Sequence, residues 1–352
     1  MKIAIHNPTF FLQNQEKNFC GYNYEFLIRY ASVFYVTDLR KIGQYKRKLL
    51  EHNRGDIKIV SSMKQLNRYA DVLISFNGVP YKILYHPPKK FLGMKIYHVM
   101  DYVFEASKSN RALLDAKVDY VMGYCNHYKY CNFFKRYYGD YKGKIIEVPF
   151  GYGKRFQKKE SFDKRINKAI ALGSVNPVNN VKGNALKEYQ EFFSDEEFTH
   201  KLRRMIVVHR EEWKECIDEM LPTYPETKNP YYNPVEELNK YTMYINDAGL
   251  MNFPPARTYE GIACGCVMVA EKLPIWEELG FQDEKNCILF ERGNYSDMLK
   301  KIKHYIMHKD ELKKIQEGTM ILATRYSHEE VAARLFANIM ERYQETAKIR
   351  LE

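Results

Sequence analysis

Long apolar runs are missing from this chain of 352 residues. None reaches the ~18 residues that a membrane-crossing helix needs, so no span is expected. The opening Met1-Lys-Ile-Ala-Ile-His6 turns polar too soon for a secretion signal and reads as a first strand. A disulfide pattern is missing too. Seven cysteines, at positions 20, 125, 131, 216, 264, 266 and 287, are odd in number and scattered. Reduced thiols in a cytoplasmic protein are the expectation. Cys264-Gly-Cys266 has no His/Cys companions at zinc-ligand spacing, which argues against a metal there. There is no internal repeat and no low-complexity tract. Nor is there a dense basic block. The net charge of +11 is spread over pieces such as Lys46-Arg-Lys48, Lys89-Lys90, Lys158-Lys159 and Lys300-Lys301. Duplex recognition calls for a continuous basic track. Scattered charge fits a nucleotide or an anionic membrane surface better, or a merely solvated basic surface. Among basic pieces of the first half, Lys135-Arg136 lies amid Tyr128, Tyr130, Tyr137 and Tyr138, a grouping suited to a membrane interface.

What is present is globular: 45% hydrophobic and 28% charged residues, with length for two domains. Strand-like runs alternate with helical ones. Strands are expected at 2–6, 32–39, 57–60, 71–76, near 94–98, at 118–124 and from 144. Later ones fall at 169–172, 241–246, 267–270 and 287–290. The stretch 188–221 reads as mostly helical. Three amphipathic helices close the chain at 296–308, 310–323 and 328–349. This alternation predicts α/β architecture with parallel, doubly wound sheets, whose ligands gather at the carboxyl ends of the strands.

The stretch Phe253–Glu271 organises the rest. Pro254 and Pro255 suit the first turn of a helix. Tyr259, Ile262 and Ala263 follow at helical spacing, and Gly265 is placed to end the helix with a left-handed residue. Val267-Met-Val-Ala270 then reads as a buried parallel strand. The amide end of such a helix attracts anions. Arg257 adds a planar fork for a phosphate, and Glu260, one turn on, can accept from a ribose diol.

Arg257, Glu260, Ala263, Cys264 and Gly265, followed by Val267 to Val269, resemble the C-terminal domain of group-1 glycosyltransferases. That family has the GT-B fold, two Rossmann-like domains facing a cleft, and uses nucleotide sugars. Its usual form has a second glutamate eight positions before Glu260, where this chain has Asn252. Val148-Pro-Phe-Gly-Tyr-Gly-Lys-Arg-Phe156 is similar to the joint that closes the family's first domain. The resemblance implies an N-terminal acceptor domain over 1–156, a linker over 157–168, a donor-nucleotide domain over 169–327, and a final helix, 328–352, crossing back to the first domain.

It also implies transfer of a sugar from a nucleoside diphosphate sugar to an acceptor hydroxyl, with retention of configuration and no cofactor or bound metal. Consistently, no Asp-x-Asp pair stands at a strand end of the donor half. Donor-binding candidates are Gly173, Ser174, Lys182, Arg257, Thr258 and Glu260. Lys182 reads equally well as a solvated loop lysine. Candidates to face the donor sugar or acceptor are His98, Asp101 and Asn252. His98 suits a base or a core position alike, and Asp101 a helix cap. The acceptor is expected to be a saccharide or lipid-linked molecule of surface polysaccharide or glycolipid synthesis, handled at the inner membrane face. A DNA-modifying glycosyltransferase, a nucleotide-sugar epimerase of the same fold, and a non-catalytic nucleotide- or sugar-binding module are the other readings.

Overall fold

The structure, a computed structural model, describes residues 1–13, 20–76, 86–99, 102, 105–175, 201–222, 232–248 and 253–349. The described residues fall into two compact units. The first takes in Met1–Phe150 and His328–Glu352; the second is built from Gly151–Val181 and Phe193–Ser327.

Seven parallel strands make the sheet of the first unit: β1 (Ile3–His6), β2 (Ala31–Tyr35), β3 (Lys58–Val60), β4 (Val72–Ser75), β5 (Met94–His98), β6 (Tyr120–Gly123) and β7 (Ile145–Glu147). Their spatial order is β3-β2-β1-β4-β5-β6-β7. The winding reverses between β1 and β4, as in doubly wound nucleotide-binding folds. Strands β1, β4 and β5 are buried along their whole length; β1 and β4 open on apolar runs, whereas β5 carries Lys95, whose ammonium donates to the Lys89, Ala116 and Lys117 carbonyls. The helix His328–Ile349 packs on the helix Tyr22–Tyr30, with Phe336 stacked on Tyr30 at 4.3 Å between ring centroids.

Besides His6 on β1, the interior of this unit holds three histidines. His98 ends β5 fully buried, its Nε2 on the Tyr22 hydroxyl at 3.1 Å and its ring edge-on to Tyr124. His127 accepts the Tyr124 N–H on Nε2 at 3.2 Å. His328 lies edge-on to Tyr22. Burial lowers all three from the ordinary imidazole range, His98 and His127 to about 3 and His328 to about 4. The unfolded chain therefore binds protons that the folded chain refuses. Stability is intact above the unfolded value near 6.5 and is lost as pH falls below it toward 4 and 3. Each ring is expected to cost up to about 2 kcal/mol at pH about 5. Thermal melts of the whole chain should show the transition falling steeply between pH about 7 and about 5, and His98→Gln should flatten that fall.

The tyrosine grouping near Lys135 and Arg136 needs correction. Both cations are exposed on the helix Asn132–Tyr137. Tyr138, however, is fully buried and donates its hydroxyl to the Tyr102 carbonyl at 3.0 Å. It packs in the core because its ring stacks on Phe134, 4.9 Å away.

The second unit has five parallel strands: β8 (Ile166–Leu172), β9 (Ile217–Met220), β10 (Tyr241–Asn246), β11 (Val267–Glu271) and β12 (Ile288–Phe290). Their order is β12-β11-β10-β8-β9. Helices pack an apolar core on this sheet, including Ala169, Ile245, Val269, Ile302 and Leu312. Two expectations change here. β8 begins at Ile166, inside the stretch read as linker. β9 falls in the stretch read as helical. It is a four-residue edge strand, Ile-Asp-Glu-Met, only partly buried after its first residue. Its charged centre carries neither the apolar run nor the branched side chains that mark a buried strand.

Candidate functional site

The winding of the second sheet reverses between β8 and β10, which pair directly, Ala171 beside Ile245. Such a reversal opens a crevice at the carboxyl ends of the strands. Gly173 and Ser174 follow β8 there, and Asp247 follows β10. The helix Ala256–Ala263 comes down beside them, preceded by Pro255 and left through Gly265 at φ +69. This is the turn, helix and left-handed exit expected of Phe253–Glu271.

Two guanidinium groups converge on Gly173. A Cβ built there would lie 2.7 Å from Arg257 Nη2, and 2.8 Å from both Arg257 Nη1 and Arg203 Nη1. Gly173 also has φ +123. The position tolerates neither the bulk nor the backbone preference of another residue. Arg203, on the helix Lys201–Val208, is 8% exposed. Its Nη1 donates to the Ser174 carbonyl at 2.9 Å and its Nη2 to Asp247 Oδ1 at 2.5 Å. Asp247 thus balances Arg203. Arg257 is not balanced in the same way. It is partly buried, its Nη1 is sealed from solvent, and that nitrogen has no hydrogen-bond partner among the described residues. Burial, and then the neighbouring Arg203 charge, pull its pKa down. Two guanidinium groups, with Asp247 bonded to Arg203 and a buried Arg257 donor left over among the described residues, form a cradle for an anion.

Glu260 lies one turn further along the helix. Burial raises its pKa to about 7, while Arg257 and Arg155 act in the opposite direction. A carboxyl group poised near neutrality beside an anion cradle is typical of a working site.

Thr258 is corrected. It is fully buried, accepts from Asn246 Nδ2 on its hydroxyl at 2.9 Å, and receives the Tyr244 hydroxyl on its carbonyl at 2.8 Å. The helix turns this side chain inward, where it ties the helix to β10. His98, in the first unit, has a neutral ring enclosed by aromatics, surroundings that suit packing better than proton transfer. Asp101, Lys182 and Asn252 lie outside the described residues. Gly173, Ser174, Arg257 and Glu260 are brought together around one crevice.

Sequence reasoning missed three residues here. Arg203 and Asp247 belong to no spaced motif, although Asp247 could have been found as the polar residue directly after a strand, as Ser174 nearly is. Arg165 falls in the stretch read as linker, with no motif to single it out. It is 4% exposed and clamps the far end of the Arg257 helix. Its Nη2 donates to the Cys264 carbonyl at 2.7 Å, and its Nη1 to the Gly265 and Leu238 carbonyls at 3.1 and 3.2 Å. A cation at the carbonyl end of a helix complements the helix dipole and satisfies its last acceptors.

Residues 191–337 match the family model described as Glycosyl transferase-like. No curated protein matches the sequence. Solved structures match along nearly the whole length. HepE from Anabaena, solved in complex with UDP-glucose, is 12% identical at TM-score 0.52, covering 97% of this chain and 100% of that one. Sucrose-phosphate synthase from Thermosynechococcus elongatus is 9% identical at TM-score 0.53, covering 98% and 100%. A glycosyltransferase from Rickettsia africae is 13% identical at TM-score 0.51, covering 99% of each. At these identities the structures speak for the fold alone, and the family match speaks for residues 191–337. Together they show a GT-B fold along nearly the whole chain, with a glycosyl transferase-like match over residues 191–337.

Proposed function

We propose that the chain transfers a sugar from a nucleoside diphosphate sugar to an acceptor hydroxyl, with retention of configuration and without a metal ion. The observation that carries this reading is the pair of guanidinium groups at Gly173, one with a buried nitrogen that lacks a partner among the described residues. The leaving group of such a transfer is a diphosphate, whose growing charge must be held in place. Arg257, Arg203 and the amide end of the 256–263 helix supply positive charge where an ion would otherwise be needed. Glu260 accepts from the ribose hydroxyls. Retention rests on the family resemblance. An acceptor from surface polysaccharide or glycolipid synthesis suits the basic surface, including exposed Lys135 and Arg136.

The first donor to try is UDP-glucose, because HepE, of the same fold, was solved with it. Calorimetry should show UDP binding in the presence of EDTA, and donor hydrolysis should persist there and release the sugar in the donor's anomeric form. Binding that requires manganese or magnesium would overturn the metal-free reading. A changed sugar released without any acceptor would point to an epimerase.

A pH dependence follows from Glu260. Ribose hydroxyls donate to the ionised carboxylate, and Glu260 is only part-ionised near its value of about 7. Uptake of the nucleotide should therefore strengthen as pH rises through that value, by up to about tenfold between pH about 6 and about 8. Glu260→Gln should weaken binding and remove this component. Comparing Kd for the two proteins across the range cancels the titration of the nucleotide's own phosphate.

A further inference from the structure

A cavity of about 340 Å³ opens in the first unit at the carboxyl ends of β1 and β2. We propose that it holds a saccharide ring of the acceptor, one that carries an acidic substituent; this rests on the glycosyl-transfer reading above. The floor of the cavity is fixed. Asn7, held at φ +41 just after β1, donates from Nδ2 to Thr37 Oγ1 at 2.7 Å and accepts the Thr37 N–H on Oδ1 at 2.9 Å. That exchange ties the end of β1 to the segment leaving β2. The walls present hydroxyls from Thr9 and Thr37, a carboxylate from Asp38, and the cations of Arg40 and Lys41.

Hydroxyl groups both donate and accept, and a wall that mixes hydroxyls, carboxylate and guanidinium answers both needs. Asp38 and Arg40 form a two-pronged pair, Nε to Oδ1 at 2.9 Å and Nη2 to Oδ2 at 3.2 Å. They cancel in charge and leave Lys41 as the surplus, which selects for an anionic substituent. The volume lies at the small end for ligand sites and suits a ring unit better than a whole nucleotide. The nucleotide has its own cradle around Arg257 in the second unit, which leaves this carboxyl-end crevice for the other substrate.

The test uses saturation-transfer NMR on the full chain with three probes: methyl glucuronide, glucose 6-phosphate and methyl glucoside. At least one of the acidic probes should bind about tenfold more tightly than the neutral one, the worth of about one charge-assisted bond. The tighter of the two tells whether the acid is a uronate or a phosphate. Lys41→Ala should erase the acidic preference. Asp38→Asn should weaken all three probes while leaving the side-chain acceptor for the Arg40 N–H in place. The proposal fails if no probe binds the unmodified chain, if the neutral probe binds as well as the acidic ones, or if Lys41→Ala changes nothing. UDP calorimetry on the same variants should be unaltered, so failure at this cavity leaves the donor reading standing. Failure of UDP to bind the unmodified chain strikes the donor reading instead.

Discussion

Replacing Arg257 with alanine should weaken binding of a nucleoside diphosphate by ~1.5–3 kcal/mol, roughly 10- to 150-fold, and should at the same time raise the melting temperature of the ligand-free protein. The first half follows from losing charge-assisted bonds to the diphosphate. The second follows from the cost that Arg257 imposes when nothing is bound. Its Nη1 is buried without a partner among the described residues, and Arg203 beside it carries the same charge. Removing a buried cation whose charge Asp247 and Glu260 offset only in part relieves the folded state. Function and stability are therefore expected to move in opposite directions at this residue, as they do where binding energy is stored in a strained site. Arg257→Lys should recover only part of the affinity, because an ammonium is a point charge and cannot grip two oxygens in a plane. Calorimetry together with thermal melts checks both halves. Unchanged affinity would remove Arg257 from the site, and a lowered melting temperature would mean that its charge is balanced in the free protein.

Gly173→Ala is expected to do more damage. The added methyl would sit 2.7–2.8 Å from three guanidinium nitrogens. The arginines can give way only by leaving the positions that make the cradle, so both are displaced at once. Affinity for the nucleotide should fall by more than 100-fold, beyond the loss of roughly two charge-assisted bonds' worth of contact at the lower estimate. The backbone at φ +123 adds about 1–3 kcal/mol of strain, seen as a lower melting temperature. Gly293→Ala is the control. That residue also has positive φ, at +71, but a Cβ there meets nothing within 4 Å. It should cost stability and leave nucleotide binding unchanged. If both substitutions weaken binding equally, backbone strain and not the arginines explains the loss.

The parts of this architecture that repeat at short range were legible in the sequence. The helix Ala256–Ala263 and strand β11 announced themselves through prolines, helical spacing, a glycine exit and an apolar run within a single window. Arg257 and Glu260 came with them, because a helix sets both from one local pattern. Arg203 and Asp247 were not legible. Their meeting depends on the β8–β10 pairing and on a helix that precedes β9, contacts that no local period encodes. Arg165 shows the opposite error. A lone arginine among charged neighbours is solvated in most chains, and carbonyls arriving from distant segments, those of Leu238, Tyr241, Cys264 and Gly265 among them, make this one a core residue. Thr258 shows the limit of proximity as a guide. It sits next to Arg257 in sequence, but one residue along a helix is a rotation of about 100 degrees, enough to face the other way.

The buried cysteines have a practical consequence. All seven are thiols enclosed in the protein. Cys20, Cys125 and Cys131 belong to the first unit, and Cys216, Cys264, Cys266 and Cys287 to the second. A thiol-directed label should therefore react only when a unit opens, and the mass of the labelled peptides names which one did. Cys264 and Cys266 lie at the exit of the Arg257 helix, beside the Arg165 clamp. Their rate of labelling, with and without a nucleotide present, would act as a clock for the anion-binding helix itself, readable in the native sequence with no reporter introduced.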